Sequence, residues 1–220
     1  MPKLFMLKIG ARPKGRLIEQ HDMFFGIGER VGDFIEAVNK QWPEVKNAWH
    51  LDAYRSVTRV DNYNIEWHAD SPDDSPDDSP DDSTHNSGKD SIAKDKEESL
   101  KLFFINLGGY LPDEFEEFHH KLLIVAATQA QAVKQAKQSE FYKTYSFNDK
   151  TVPFNAASHI DDKHQIDVDD IYNINDLLSG GRLLITLSTV QDTESIQEDR
   201  SYIGYLSLKK LQQLEKVASL

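Results

Sequence analysis

The sequence predicts an α+β protein that contains two divergent copies of one unit of roughly sixty residues. Two observations support this prediction. Strand-length apolar runs and one amphipathic helix occur in the same order in each half of the chain. Short motifs also recur in order, first at a shift of 98 positions and then at a shift of 109. We therefore expect two β-β-α-β-β units of ferredoxin-like size with a pseudo-twofold relation, followed by a C-terminal hairpin and helix.

The first copy spans residues 1–68. A near-continuous apolar run predicts a buried strand over 4–9, and a second short run predicts a strand over 23–27. A helix follows, because apolar residues then recur at helical spacing. These residues are Val31, Phe34, Ile35, Val38 and Trp42. Two further strands over 50–60 and 63–67 complete the unit.

The second copy spans residues 101–175 and repeats this order. Strands are expected over 102–107 and 122–126, and an Ala- and Gln-rich helix follows them. The last two strands of the copy are expected over 159–168 and 171–174.

Residues 176–220 have no counterpart in the first copy. Strands over 182–188 and 202–206 predict a hairpin, and an amphipathic helix follows it. The apolar face of that helix consists of Leu208, Leu211, Leu214 and Val217. We expect the hairpin and the helix to pack on the second copy.

Matching residues are the evidence for duplication. At a shift of 98 they are Lys3-Leu4-Phe5 with Lys101-Leu102-Phe103, Gly10 with Gly108, Glu19 with Glu117, and His21 with His119. At a shift of 109 they are His50-Leu51-Asp52 with His159-Ile160-Asp161, and Tyr63-Asn64-Ile65 with Tyr172-Asn173-Ile174. One shared triplet would carry little weight. Several in the same order indicate duplication followed by divergence.

Residues 69–100 form an acidic segment between the copies, in which Ser-Pro-Asp-Asp occurs three times in succession. The stretch 70–98 holds eleven carboxylates and three lysines, so it accounts for −8 of the net charge of −12. Regular prolines prevent a helix and like charges repel, which predicts a disordered linker. The rest of the chain has no broad basic face, so we expect no nucleic acid partner.

Composition excludes several classes of function. The chain contains no cysteine, which excludes disulfides, thiolate catalysis and thiolate zinc sites. No apolar run reaches the ~20 residues that a membrane helix needs, and the first residues do not form a signal peptide. We therefore expect no membrane partner and a cytoplasmic location. No cofactor is assigned, and homo-oligomerisation is left open.

Five segments carry a resemblance to a known family. They are 3–26, Trp42-Pro43, His50-Leu51-Asp52-Ala53, 101–110 and 115–119. Together they resemble the bacterial domain-of-unknown-function family 1543, whose members look like one or two copies of this unit. The resemblance implies the duplicated organisation, but it implies no reaction, cofactor or ligand.

Carboxylate–histidine pairs supply the candidate catalytic residues, which are Glu19 with His21 and Glu117 with His119. Their i, i+2 spacing puts both side chains on one face of an extended chain, where a carboxylate beside an imidazole suits a general base. Four residues with the same spacing offer an alternative metal site, although no metal is assigned. They are His50, Asp52, His159 and Asp161. We favour a structural role, in which these side chains satisfy backbone groups or one another.

The segment with Arg12, Lys14 and Arg16 is the candidate ligand-binding site. Its glycines, its proline and its three cations suit a turn that binds a small anion. The second copy has acidic residues at 113 and 114, so the two loops carry opposite charge. Three interpretations remain open. The basic loop binds an external anion, or the two loops form ion pairs with each other, within one chain or across a dimer. The third interpretation is that the loop is a solvated turn.

We therefore expect a non-enzymatic module that binds a small anion or a protein partner. The alternative is an enzyme with a Glu/His acid–base or metal site between the two copies. A concave pocket shared by Glu19, His21, Arg12 and Arg16 would favour the enzyme.

Overall fold

The computed structural model describes residues 1–70, 99–147, 156–160, 171–188 and 199–218. Residues 71–98 of the acidic segment, and with them the prediction of disorder, lie outside the described residues. The described part combines several antiparallel sheets with a small number of helices, which confirms the α+β prediction. None of the helices found in it is both long enough and apolar enough to cross a membrane.

Strands dominate the described residues. They are β1 (Lys3–Ala11), β2 (Gln20–Gly28), β3 (His50–Val57), β4 (Arg59–Val60), β5 (Tyr63–Ala69), β6 (Lys101–Gly109), β7 (Phe118–Ala126), β8 (His159–Ile160), β9 (Ile171–Asn173), β10 (Gly181–Leu187) and β11 (Tyr202–Ser207). The α-helices are α1 (Ile35–Gln41), α2 (Gln129–Ala136), α3 (Glu140–Thr144) and α4 (Leu208–Ala218). Short 3-10 helices cover Val31–Phe34, Pro43–Val45 and Ile174–Leu177.

The strands pair antiparallel in three sheets. The first sheet has the order β11-β3-β1-β2, and the third has the order β10-β5-β4. In the second sheet, β6 pairs with β7 on one side and with both β8 and β9 on the other. The β1–β2 and β6–β7 hairpins have the same register after a shift of 98, because Lys3 faces Gly28 and Lys101 faces Ala126.

The first and second sheets pack face to face, with helices on their outer faces. Leu7 of β1 lies in the outer core with α1 and α4, whereas Leu4 points inward. On β6, Ile105 lies in the outer core with α2, whereas Phe104 points inward and its ring contacts Phe25 of β2 at 5.2 Å between centroids. Full burial of one such side chain stabilises the fold by about 1.5–3 kcal/mol. The layers are therefore helix, sheet, sheet and helix.

The predicted C-terminal hairpin is wrong. β10 pairs with β5 and β11 pairs with β3, so the two strands belong to different sheets. The helix α4 packs on the first sheet and not on the second copy, because Leu208 and Leu211 are buried in the core of the first sheet. An amphipathic pattern reveals that a helix has an apolar face, but it does not reveal which sheet that face packs on. Here β11 pairs with β3, whose edge would otherwise be unpaired, and α4 follows β11 onto the same sheet.

The predicted fourth strand of the second copy is also misplaced. Residues Ile171–Asn173 form β9, which pairs with β6 and puts Tyr172 opposite Phe104. The strand beside β5 is β10, with Ile65 opposite Ile185. Residues 63–65 and 172–174, which match in sequence, therefore lie in different sheets and are not equivalent positions. A three-residue identity does not determine which strand a segment pairs with.

Asp199, just before β11, binds the segment that connects β3 to β4. Its carboxylate accepts hydrogen bonds from the backbone N–H groups of Thr58 and Arg59, at 2.6 and 2.9 Å. The Thr58 hydroxyl donates a third hydrogen bond to the same carboxylate, at 2.7 Å. These bonds satisfy the backbone at the point where β3 ends and β4 begins.

Candidate metal centre

Two histidines flank one glycine on the inner face of the first sheet. Gly10 of β1 pairs with His21 of β2 on one side and with His50 of β3 on the other. Residues directly opposite each other project to the same face of a sheet, so both imidazoles stand beside Gly10. Leu4 lies on the same side of β1 and joins the core between the sheets, so this face is turned toward the second sheet.

Gly10 leaves the space that the neighbouring side chains occupy. A Cβ atom at Gly10 would lie 2.6 Å from Nε2 of His50 and 3.1 Å from Oδ2 of Asp52. The first distance is far below a normal contact between a carbon and a nitrogen. Glycine is therefore the residue that lets the imidazole and the carboxylate meet above β1.

A β-bulge places Asp52 beside His50. Lys8 pairs with Ala53 whereas the next residue, Ile9, pairs with Leu51, so Asp52 is the extra residue on β3. Bulges change the direction of a side chain and are frequent next to active sites. The sequence spacing predicts that His50 and Asp52 share a face, but it does not reveal the bulge.

Four side chains meet at this point, and we call them the first cluster: Glu19, His21, His50 and Asp52. Nε2 of His50 lies 3.3 Å from Oε1 of Glu19 and 3.3 Å from Oδ1 of Asp52. Nε2 of His21 lies 3.5 Å from Oε2 of Glu19 and 3.0 Å from Oδ2 of Asp52. The Nε2 atom of each histidine is thus within 3.5 Å of an oxygen of both carboxylates.

The central atoms of the first cluster are buried without a hydrogen bond. The His50 side chain is 7% exposed, and neither its Nε2 atom nor Oδ2 of Asp52 has a hydrogen-bond partner among the described residues. The distances to neighbouring oxygens are short, but the directions do not satisfy hydrogen-bond geometry. A buried polar atom without a partner is costly, so this arrangement calls for a further group that both atoms bind.

The separations fit the ligands of one metal ion. At metal–ligand distances of about 2.0–2.2 Å, neighbouring ligand atoms of a tetrahedral or octahedral ion lie about 3.0–3.6 Å apart. Ligand atoms of Glu19, His50 and Asp52 all lie within 4.8 Å of one another, and His21 contacts the outer oxygens of both carboxylates. The donor set is therefore nitrogen and oxygen, with no sulfur.

Lys8 and Tyr205 complete the surroundings of the first cluster. Nζ of Lys8 lies 3.6 Å from Oδ2 of Asp52, where its positive charge offsets the repulsion between two carboxylates. The Tyr205 ring of β11 lies 4.4 Å from the His50 ring, at an interplanar angle of 35°. Tyr205 therefore covers the imidazole from the side of the edge strand.

A cleft of about 1400 Å³ opens beside the first cluster. Lys8, Glu19 and His21 line one side of it, and Glu117, His119 and Lys121 line the opposite side. Phe104 and Tyr172 add apolar surface to the lining. The cleft therefore combines apolar and ionisable groups, as small-molecule sites do.

Glu117, His119 and His159 occupy the matching positions of the second sheet, and we call them the second cluster. Gly108 pairs with His119 and with His159, as Gly10 does with His21 and His50. Nε2 of His159 lies 3.1 Å from Oε1 of Glu117. The Tyr110 hydroxyl donates a hydrogen bond to the same oxygen, at 2.8 Å.

The remaining sequence candidates of the second copy differ from their counterparts. Asp161 lies outside the described residues, so no fourth member of the second cluster is assigned. His120 packs its ring on Phe141 at 5.3 Å, and burial, with the nearby charge of Lys121, lowers the pKa of His120. His120 therefore favours the neutral form and stands apart from the acid–base pairs.

The basic segment does not join the first cluster. Arg12, Lys14 and Arg16 are exposed in the loop between β1 and β2, and none of them forms an ion pair with another described residue. The cleft lining includes Glu19 and His21 but neither arginine. The concave pocket shared by Glu19, His21, Arg12 and Arg16, which would favour an enzyme, is therefore not formed, because only Glu19 and His21 of these four residues line the cleft.

The sequence identified all four members of the first cluster, but as two separate pairs. It did not identify Lys8 or Tyr205, because their roles depend on strand pairing between distant segments. The one available signal was Gly10, which ends an apolar strand just before the Glu19 and His21 pair. The chemical roles of all these residues stay predictions.

Comparison with known proteins finds that part of the chain matches a family model. Residues 16–67, which include the whole first cluster, match the model of a family described as Domain of Unknown Function (DUF1543). A solved structure, described as the crystal structure of a protein Il1583 from Idiomarina loihiensis, is 19% identical at a TM-score of 0.48. That match covers 94% of this chain and 99% of the other. No curated protein matches, and no specific function follows from these comparisons.

Proposed function

We propose that Glu19, His50 and Asp52 bind a divalent transition metal ion, with His21 as a fourth group at the edge of the site. The observation that carries this proposal is a pair of buried atoms, Nε2 of His50 and Oδ2 of Asp52, that have no hydrogen-bond partner among the described residues. A metal ion would satisfy both atoms and would offset the charge of the two carboxylates, of which Lys8 contacts Asp52.

The donor set indicates the class of metal. Two imidazole nitrogens and two carboxylates without a thiolate suit zinc, manganese or ferrous iron, and are less suited to copper(I). The side chains of Glu19 and His21 are 44% and 40% exposed, so the site is open on the side of the cleft. A bound metal would therefore keep a coordination position for water or for a small polar molecule.

The chemistry that such a metal supplies is Lewis-acid activation of a bound water or of a carbonyl or phosphoryl oxygen. The chain's own residues would position it: His21 next to the open side, and Glu117 and His119 on the far side of the cleft. We therefore propose a metal-dependent enzyme that hydrolyses a small polar substrate held between the two sheets. We prefer this enzyme to the non-enzymatic module because carboxylate–histidine pairs of both sheets line the cleft, although Arg12 and Arg16 do not line it.

We also propose that the chain arose by duplication of one unit. The equal registers of the β1–β2 and β6–β7 hairpins support this, as do the equivalent positions of Gly10 and Gly108. The antiparallel pairing of β5 with β10 suggests that the second copy extends to residue 187, with a pseudo-twofold axis near Ile65 and Ile185. The bacterial source and the cytoplasmic location stay sequence predictions.

Metal titration tests the proposed site. The chelator-treated protein should bind one equivalent of Zn²⁺ or Co²⁺ by calorimetry, and the Co²⁺ complex should show visible absorption typical of nitrogen and oxygen ligands. Metal at a hundred times its Kd should stabilise the chain by about 2.7 kcal/mol in thermal unfolding. Glu19→Gln and His50→Gln should remove both effects.

The matched control is His68→Ala. His68 forms a pair with Glu66 on β5 with the same i, i+2 spacing, at 3.8 Å and with both side chains exposed, but without a second carboxylate. This variant should bind metal as the wild type does. Equal metal binding by His50→Gln and the wild type would disprove the proposal, as would the absence of binding in the wild type.

A further inference from the structure

The loops that join β1 to β2 and β6 to β7 have the same backbone shape. We call residues 12–18 the basic loop and residues 110–116 the acidic loop. The Arg16 N–H donates to the Pro13 carbonyl in the basic loop, and the Glu114 N–H donates to the Leu111 carbonyl in the acidic loop. Both bonds occupy the same positions after a shift of 98.

A left-handed residue also occurs at the same position in each loop. Gly15 has a φ of 85° in the basic loop, and Asp113 has a φ of 65° in the acidic loop. Aspartate tolerates this conformation better than most side chains do, which explains how the shape persists without the glycine. The two loops are thus near copies in shape.

Both loops expose a large apolar side chain at the same position. Leu17 of the basic loop is 95% exposed, and Phe115 of the acidic loop is fully exposed. Ile18, next to Leu17, is 73% exposed. Apolar side chains that cluster at exposed loop tips indicate an interaction surface more often than isolated ones do.

The charges around these apolar residues are opposite. Three cations, Arg12, Lys14 and Arg16, precede Leu17 in the basic loop. Phe115 of the acidic loop lies in the sequence between carboxylates, namely Asp113, Glu114 and Glu116. All six charged side chains are exposed, and none forms an ion pair with another residue of the described ranges. The two loops therefore do not neutralise each other within one chain.

We infer that the partner of these loops is a second copy of this chain. In a twofold dimer, the basic loop of each copy meets the acidic loop of the other, so one contact occurs twice. The matching shapes allow Leu17 and Phe115 to meet, while three cations face three carboxylates. Such a surface selects its partner mainly by charge complementarity. This inference is independent of the metal proposal, because no ligand atom of the first cluster takes part in it.

Charge reversal tests the dimer. The wild type should sediment as a dimer at about 100 μM in low salt and should dissociate as salt screens the loops. The triple variant Arg12→Glu, Lys14→Glu, Arg16→Glu should be monomeric, and so should Asp113→Lys, Glu114→Lys, Glu116→Lys. Each variant carries two loops of one sign, so its copies repel. An equimolar mixture of the two variants should recover the dimer, because both contacts are then complementary.

The matched control reverses three lysines of α4, on the outer face of the first sheet: Lys209→Glu, Lys210→Glu and Lys216→Glu. It changes the net charge equally and should leave the dimer intact. A monomeric wild type would overturn the inference, and so would dimeric loop variants or a mixture that stays monomeric. A monomeric wild type that inorganic phosphate stabilises through Arg12 and Arg16 would assign the basic loop to a small anion instead.

Discussion

The first and second clusters share a framework but satisfy their polar atoms in different ways. In each, a glycine on the central strand lies between two histidines, and a glutamate approaches the histidine of the third strand. In the second cluster, the Tyr110 hydroxyl gives Glu117 a hydrogen bond. In the first, the residue at the position of Tyr110 is Arg12, which is exposed, and the contacts of the Glu19 carboxylate are with His21 and His50.

The two histidines of the third strands also differ in burial. The His50 side chain is 7% exposed and its Nε2 atom has no hydrogen bond to any described residue, whereas His159 is 42% exposed and its Nδ1 atom contacts the Ala157 carbonyl. The paired glycine and histidine positions therefore place similar groups in both sheets, while the neighbouring residues determine how far the described part of the chain satisfies their polar atoms. If the proposed function is correct, an unsatisfied pair of atoms is where a metal ion binds. We therefore expect metal binding at the first cluster only.

Adding a methyl group at the two equivalent glycines gives the largest contrast. Gly10→Ala would bring a Cβ atom to 2.6 Å from Nε2 of His50, so the imidazole must turn away from the metal position. The Kd for Zn²⁺ should rise at least about 100-fold, which is about 2.7 kcal/mol, in calorimetric titration.

The fold should survive this change, because the clash involves the end of a side chain and not the backbone. Gly108→Ala makes the same change at the second cluster and should leave the Kd unaltered. If Gly108→Ala weakened zinc binding as much as Gly10→Ala, the two clusters would have to form one site.

Two tyrosines give a smaller contrast. Tyr110 stacks on His159 and donates to Glu117, so Tyr110→Phe should lower the free energy of unfolding by about 0.5–1.5 kcal/mol in urea titration. The Tyr205 ring contacts His50 in a tilted arrangement, but its hydroxyl forms no hydrogen bond within the described ranges and the residue is 73% exposed. Tyr205→Phe should therefore be close to neutral. Equal losses in both variants would contradict the contrast.

The smallest expected effect concerns pH. Burial lowers the pKa of His120 below its ordinary value of 6.5, so this imidazole binds a proton more weakly in the folded chain than in the unfolded chain. Its contribution to stability is complete above pH 6.5 and is lost as the pH falls through the interval below that value.

His120→Gln should therefore reduce the loss of stability between pH 7.5 and pH 5.5, measured as urea midpoints at about those two values. The matched control is Asp22, which lies at the equivalent position of β2. Its replacement by asparagine removes no imidazole and should leave the loss of stability between those two pH values unchanged. An unchanged pH profile in His120→Gln would contradict the assignment.

Local patterns predicted most of the strands and the buried faces correctly. The apolar run at 4–9 forms the centre of β1, and the run at 102–107 forms the centre of β6. The alternation of an extended chain predicts that Glu19 shares a face with His21 and that His50 shares one with Asp52. Both pairs meet in the structure, although Asp52 reaches His50 through the β-bulge and not through a regular strand. These features depend on residues that are close in sequence.

Features that depend on distant pairing were not predictable. The meeting of His21 with His50 requires that β1 pair with both β2 and β3 at Gly10. The path of β11 to β3, rather than to β10, likewise depends on which sheet edge is left open. A single sequence contains no signal for either choice, so the site could be predicted only as separate pairs.

The position of β11 and α4 has a consequence for the order of folding. The ribosome releases residues 3–57 first, yet their sheet lacks its edge strand and the buried Leu208 and Leu211 until residues 199–218 emerge. The β6–β7 hairpin and α2 make contacts of shorter sequence separation, which form faster. The first sheet is therefore completed after the second, and Tyr205 reaches His50 only after residues 199–218 have been made.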